Sequence, residues 1–67
     1  MPIVIMFSGG AFCGDGMLWL GQLPKVIKIN MYDYSKVYFY EPLRRIDRGA
    51  WLFTCVEQRP MEEKDYS

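Results

Sequence analysis

The most constraining feature of this sequence is an alternation of apolar and polar residues on both sides of residues 32–35. In the first stretch the apolar positions are Leu23, Ile27, Ile29 and Met31. Lys28 and Asn30 occupy positions between them. Because successive side chains of a β-strand point to opposite faces, this period of two predicts a strand with one buried and one solvated side.

The second stretch, residues 36–41, resumes the alternation after a segment that contains the turn-forming residues Asp33 and Ser35. We predict that Val37 and Phe39 point inward. The predicted outward row is Lys36, Tyr38 and Tyr40. Two alternating stretches around a short turn segment predict a β-hairpin.

Three further apolar runs, residues 3–7, 17–20 and 51–56, predict strands. The first and last runs are apolar on both side-chain rows, which is typical of strands covered on both faces. Pro42 and Gly49 suit the start and the end of a short helical turn. The predicted fold is therefore all-β, or β-rich α+β. It is a small antiparallel sheet, or an SH3-like or OB-like barrel, of roughly four or five strands with one short helical turn near residues 42–49. Residues 1–59 are predicted to form this single domain, and residues 60–67 a flexible C-terminal tail.

The length of the chain limits how well such a sheet can be covered. A chain of 67 residues buries only about 60 % of the surface that its unfolded form exposes. Hydrophobic residues make up 51 % of the chain and aromatic residues 16 %. An exposed apolar sheet face promotes association, so we expect a homodimer, a protein partner, or both.

Charge, cysteine content and targeting signals exclude several classes of protein. The 8 basic residues balance the 8 acidic ones, so nothing in the overall charge favours nucleic acid. Cys13 and Cys55 do not make a secreted disulfide framework, and the absence of histidine argues against a zinc site. The first apolar run is too short for a signal peptide, and the glycines of residues 8–16 interrupt a membrane span. We expect a cytoplasmic protein with free thiols, no metal, no cofactor and no membrane partner.

Residues 8–16 contain four glycines in nine positions and predict a loop. A strand that leads into the Ser-Gly-Gly of residues 8–10 resembles the opening of the PP-loop of ATP pyrophosphatases. This resemblance implies that backbone N–H groups bind a phosphate. Phe12 and Cys13 stand where that family has an acid and a hydroxyl residue. A simple connection between strands is therefore the preferred interpretation, and nucleotide or phosphate binding by this loop is a third alternative for function.

Tyrosine and arginine residues are concentrated in the middle of the chain, and we predict that they bind a partner. The predicted partner-binding residues are Tyr32, Tyr34, Tyr38, Tyr40, Arg44, Arg45 and Arg48. Both residue types anchor protein interfaces, since each combines a large contact area with a polar tip. Aromatic rings beside cations on a sheet face also stack single-stranded bases in OB-type modules. A third interpretation is that the tyrosines only pack against other parts of the chain.

No set of residues predicts catalysis, because the carboxylates lie in separate turns or in the tail and no histidine is available as a base. The predicted function is a small non-enzymatic interaction or accessory protein that associates with itself and binds a protein partner through the tyrosine and arginine surface. The main alternative is a small barrel that binds single-stranded nucleic acid. Phages and plasmids encode many short accessory proteins of this kind, which is an expectation about small genes and not about these residues.

Overall fold

A computed structural model describes residues 2–31, 33 and 35–66 and shows one five-stranded sheet. The strands are β1 (Ile3–Ser8), β2 (Gly16–Trp19), β3 (Ile27–Met31), β4 (Lys36–Asp47) and β5 (Ala50–Pro60). Two short 3₁₀ turns, Gly10–Phe12 and Glu63–Tyr66, accompany the strands. The predicted small all-β fold is confirmed.

The sheet has the strand order β2-β1-β5-β4-β3, with β2 and β3 at its edges. β3, β4 and β5 form an antiparallel meander, and β1 and β2 form an antiparallel pair. The two units join where β5 lies parallel to β1. The sheet is therefore mixed and not purely antiparallel. β5, the last strand of the meander, pairs with the side of β1 that β2 leaves free, and it runs in the same direction as β1.

The hairpin predicted around residues 32–35 is confirmed, since β3 and β4 pair from Met31 opposite Lys36 to Ile27 opposite Tyr40. The predicted faces of β4 are wrong. Tyr38 and Tyr40 are 6 % and 0 % exposed and belong to the main core. The reason is the register, because residues directly opposite each other share a face. Tyr38 and Tyr40 lie opposite Ile29 and Ile27, which are the apolar row of β3.

The helical turn predicted at residues 42–49 is also wrong, because β4 continues through this segment and pairs with β5 as far as Asp47 and Ala50. Pro42 is accommodated beside an irregularity in the register between Pro42 and Arg44, which is where a strand tolerates proline. Gly49 has φ +73° and lies in the turn to β5. Glycine adopts this backbone conformation without strain.

The main core lies on one face of the sheet, which we call the core face. Its buried side chains are Ile5, Phe7, Ile27, Tyr38, Tyr40 and Phe53. Phe12 of the first 3₁₀ turn and Leu23 pack against this cluster. Because β2 and β3 are at opposite edges, residues 20–26 have to cross the sheet between them, and the position of Leu23 puts this crossing on the core face.

The opposite face, which we call the outer face, is covered at one end by the C-terminal residues. Met61 donates a backbone hydrogen bond to Ser35, and the second 3₁₀ turn places Asp65 in the interior with 1 % exposure. Val37 is fully buried, although its side chain lies on the outer face. Residues 60–67 are predicted to form a flexible tail. Residues 61–66 pack against the sheet, because the buried Asp65 carboxylate fixes them, and Ser67 lies outside the described residues.

Candidate functional site

Tyr40 stands at the centre of the core and not on a binding surface. Its ring centroid lies 4.7 Å from that of Phe7 and 6.4 Å from that of Phe12. Its hydroxyl donates a hydrogen bond to the carbonyl of Gly9 at 2.9 Å and accepts one from the Phe12 N–H at 3.3 Å. Burial raises the pKa of this hydroxyl, while the bond from Phe12 opposes the rise. Tyr40 therefore binds the glycine loop to the sheet.

Tyr38 also packs inward, edge-on to Phe12 with ring centroids 5.9 Å apart. Neither Tyr38 nor Tyr40 is thus placed to stack on a base or to anchor an interface. Tyr32 and Tyr34 lie outside the described residues. Of the residues predicted to bind a partner, only the three arginines are shown at the surface, and all three are exposed.

The glycine loop, residues 9–15, is ordered by hydrogen bonds of its own backbone. Gly14 donates to the carbonyl of Phe7, and Asp15 donates to that of Phe12. Together with the Phe12 N–H, three loop amides thus donate hydrogen bonds to acceptors within the protein. Gly10 has φ +66°, and a Cβ atom there would lie 2.6 Å from the Tyr40 hydroxyl. The loop thus needs glycine for close packing on Tyr40.

The arginines lie at the far end of the β4–β5 hairpin, which we call the hairpin arm (residues 43–49). Arg44 lies opposite Leu52 and Arg45 opposite Trp51, so the two side chains project from opposite faces of the sheet. Arg45 and Arg48 line one open concavity with Ile46 and Asp47. The structure thus brings Arg45 and Arg48 together and separates Arg44 from them.

The hairpin arm also exposes two aliphatic side chains, Leu43 at 56 % and Ile46 at 41 %. Register irregularities lie on both sides of Arg44 and Arg45, between Pro42 and Arg44 and between Arg45 and Asp47. Such irregularities re-aim side chains of a strand. The helical turn predicted near residues 42–49 did not indicate that Leu43 and Ile46 are surface residues of a strand.

A second apolar surface lies on the outer face of β1, β2 and β5. We call it the open face, and its residues are Val4, Met6, Leu18, Leu52 and Val56. Leu18 is 67 % exposed and Val4 39 %, and the two lie directly opposite each other on β2 and β1. The sequence indicated that the first and last strands carry apolar residues on both faces, but it did not show which face the chain leaves uncovered.

The covered end of the outer face is organised by Asp65. Its carboxylate lies 2.7 Å from the Lys28 ammonium and 2.8 Å from the Arg59 guanidinium, and it accepts a hydrogen bond from the Glu62 N–H at 2.8 Å. The Asn30 side chain donates to the Asp65 carbonyl. The bond from Arg59, followed by those from Glu62 and Lys28, holds the pKa of Asp65 far below its usual value.

Arg59 completes this cluster, because its guanidinium lies 5.4 Å from the centre of the Phe39 ring, a cation–π distance. Its hydrogen bond to Asp65 raises the pKa of Arg59 above its ordinary value. The sequence did not indicate this cluster, because residues 62–65 are all charged and show no periodic pattern. The arrangement satisfies its own charges and fixes the C-terminal residues to the sheet.

Cys13 is exposed and Cys55 half-buried, and both are free thiols. Cys55 packs against the core, with its Sγ 3.6 Å from the carbonyl of Glu57. Within residues 2–31, 33 and 35–66, no three cysteine or carboxylate residues are grouped to hold a metal ion. No helix in this part of the chain is long and apolar enough to cross a membrane.

Comparisons of the chain with protein-family models, with curated proteins and with solved structures found no match. Its function has to be inferred from its own surfaces, and the hairpin arm and the open face both expose large apolar side chains beside charged residues.

Proposed function

We propose that this chain is a small non-enzymatic interaction protein that associates with itself and binds an acidic surface of a partner protein through the hairpin arm. The observation that carries the proposal is the composition of the arm at the surface. It exposes Leu43 and Ile46 among three arginines. Apolar side chains bordered by arginine are typical of protein interfaces.

The charge of the arm supports an acidic partner. Three arginines against the single Asp47 give residues 43–49 a net charge of +2, whereas the whole chain is neutral. The Asp47 carboxylate accepts a hydrogen bond from the Arg48 N–H at 2.7 Å, so one of its oxygens is already bound within the turn. Arg45 and Arg48 line one concavity, and arginine side chains form strong hydrogen bonds with carboxylates, which supports an acidic partner.

The shape of the molecule also supports this use of the arm. The protein measures 38 × 21 × 17 Å along its principal axes. The buried residues of β4 end at Tyr40, while the strand continues to Asp47. The end of β4 beyond Pro42 is thus held by its pairing with β5, and its side chains from Leu43 to Asp47 are exposed.

The proposal is tested by affinity capture with the purified chain as bait. We expect partners captured by the wild-type chain to be lost with Arg45→Glu/Arg48→Glu. The matched control, Lys25→Glu/Lys64→Glu, makes the same change of charge at exposed positions outside the arm. Partners that are retained by a correctly folded arm variant, or lost equally with the control, would contradict binding through the arm.

The alternative of single-stranded nucleic acid binding keeps only part of its support, because Tyr38 and Tyr40 are in the core and cannot act as a stacking platform. The arginines of the arm remain as phosphate contacts. Salt titration of binding to a labelled oligonucleotide separates the two functions, since phosphate contacts lose affinity steeply with salt. Measurable binding with a steep salt dependence that Arg45→Glu/Arg48→Glu removes would favour the alternative.

Nucleotide binding by the glycine loop is less favoured, since three loop amides already donate within the protein. We expect an unchanged melting temperature across a panel of nucleotides, because a ligand of the folded state would raise it. The cytoplasmic location inferred from the sequence stays a prediction, and the two free thiols are compatible with a reducing compartment.

A further inference from the structure

The open face forms two neighbouring rows of paired residues on β1 and β5. Met6 lies opposite Leu52, and Ser8 lies opposite Thr54. On β4 these rows continue to a charged residue each, with Arg44 opposite Leu52 and Glu41 opposite Thr54. A basic and an acidic side chain thus border the same apolar surface, one row apart.

Arg44 and Glu41 are both exposed. In the described part of the chain neither of them takes part in an ion pair. A partner with a surface of a single charge sign would complement only one of the two. A surface that carries both signs in neighbouring rows is complemented by its own copy, since a two-fold axis exchanges the rows.

We infer that a second copy of this chain covers the open face, with its own open face packed against the first. The two-fold axis runs across the strands, between the row of Leu52 and the row of Thr54. Arg44 of each copy then meets Glu41 of the other, and the row of Met6 and Leu52 packs on the row of Ser8 and Thr54 of the second copy. This inference rests on the self-association in the proposed function and assigns it a surface separate from Arg45 and Arg48.

The composition of the face fits this arrangement. Two sheets that pack face to face bury apolar side chains from both inner faces, with strand directions roughly aligned. The neutral net charge of the chain removes long-range repulsion between copies. Because the apolar surface has only five residues, we expect a reversible dimer with a dissociation constant on the order of micromolar, as is typical of small interfaces.

The test is a charge exchange followed by sedimentation equilibrium over a range of concentrations. Arg44→Glu and Glu41→Arg each place like charges opposite each other in the dimer. We expect each single variant to weaken dimerisation about tenfold or more, and the double variant Glu41→Arg/Arg44→Glu to recover most of the loss. Two single effects that simply add in the double variant would overturn the inference.

A second pair of variants tests the apolar part of the face. Leu18→Lys places a charge on the open face and is expected to weaken the dimer. Leu43→Lys makes the same substitution at a comparably exposed residue of the hairpin arm and is expected to leave the dimer unchanged. Equal dissociation by both variants, with the fold intact by circular dichroism, would also overturn the inference.

The outcomes separate this inference from the proposed function. A dimer that is insensitive to the charge exchange and to Leu18→Lys contradicts the open face as its interface but leaves self-association in place. A wild-type chain that is monomeric at all concentrations contradicts both the inference and the self-association. Partner capture that is lost only with the Arg45 and Arg48 substitutions bears on the hairpin arm alone.

Discussion

The two faces of the sheet are covered to different extents, although both are rich in apolar residues. On the core face, the glycine loop and the crossing residues 20–26 cover the sheet, and Phe53 is fully buried. On the outer face, residues 61–66 cover only the end near Val37, and Leu18 remains 67 % exposed. A chain of this length has enough residues outside its strands to cover one face and part of the other. The uncovered remainder is where we expect binding.

The largest contrast is expected between Phe53→Ala and Leu18→Ala, one on each face. Phe53→Ala removes a fully buried ring and should lower the free energy of unfolding by about 3–5 kcal/mol. Leu18→Ala should change it by less than about 0.5 kcal/mol. Urea denaturation at protein concentrations low enough to keep the chain monomeric measures both values.

If Phe53→Ala does not fold, Phe53→Leu retains more of the side-chain volume and gives a measurable cost. A similar loss from Leu18→Ala as from the substitution at Phe53 would show that the open face is covered within the monomer, and the contrast between the faces would not hold.

The covered end of the outer face is tested by Asp65→Asn. The substitution leaves Lys28 and Arg59 beside a buried neutral group, and removing one partner of a buried charge cluster is strongly destabilising. We expect a clear fall in the urea midpoint at neutral pH, smaller than that of Phe53→Ala. The control Glu63→Gln removes a carboxylate at an exposed position of the same 3₁₀ turn and should have little effect. Equal midpoints for the two variants would contradict the role of Asp65.

The same carboxylate predicts how stability depends on pH. The pKa of Asp65 is lowered in the folded state, so its contribution is fully present above the unfolded-state value of about 4 and is lost as the pH falls through the folded-state value. We expect the difference in the free energy of unfolding between wild type and Asp65→Asn to be constant from neutral pH down to about 4 and to shrink below it. A difference that stays constant into strong acid would contradict an ionised, stabilising Asp65.

Much of the architecture was predictable from the sequence, because strand periodicity and turn residues are local signals. The hairpin of β3 and β4 follows from alternation alone. The faces of β4 were also implied by the four-residue segment 32–35, since a hairpin that closes with Met31 opposite Lys36 puts Tyr38 opposite Ile29. Alternation alone puts Tyr38 and Tyr40 in one row with Lys36 and suggests a polar row, whereas the register puts this row on the core face.

The candidate surfaces were less predictable, because they depend on which segments return to cover the sheet. Asp65 reaches Lys28 across 37 positions of sequence, and no periodic pattern encodes such a contact. The tyrosines that resembled a binding surface are core, whereas Leu18 and Val4, which resembled core residues, are exposed. Arg44 and Arg45 are exposed on β4, and Arg48 is exposed in the turn that follows it, where a helical turn was predicted.

The smallest of the predicted effects concerns how the glycine loop covers the core face. Gly10 and Gly14 both have positive φ, at +66° and +89°, but only a Cβ at position 10 would meet other atoms. Alanine in such a conformation costs about 1–2 kcal/mol at either position. We expect Gly10→Ala to cost more than Gly14→Ala, because its methyl group would also press on the Tyr40 hydroxyl.

Tyr40→Phe identifies the source of that extra cost. The substitution removes the hydroxyl 2.6 Å from the added Cβ, while the contacts of 3.2 Å and 3.3 Å with the Cys55 side chain remain. By itself it loses the hydrogen bonds to Gly9 and Phe12 and should be destabilising. In a double-mutant cycle measured by urea denaturation, Gly10→Ala should therefore cost less in the Tyr40→Phe background than in the wild type. Strictly additive costs would mean that the Tyr40 hydroxyl does not limit the space for a side chain at position 10.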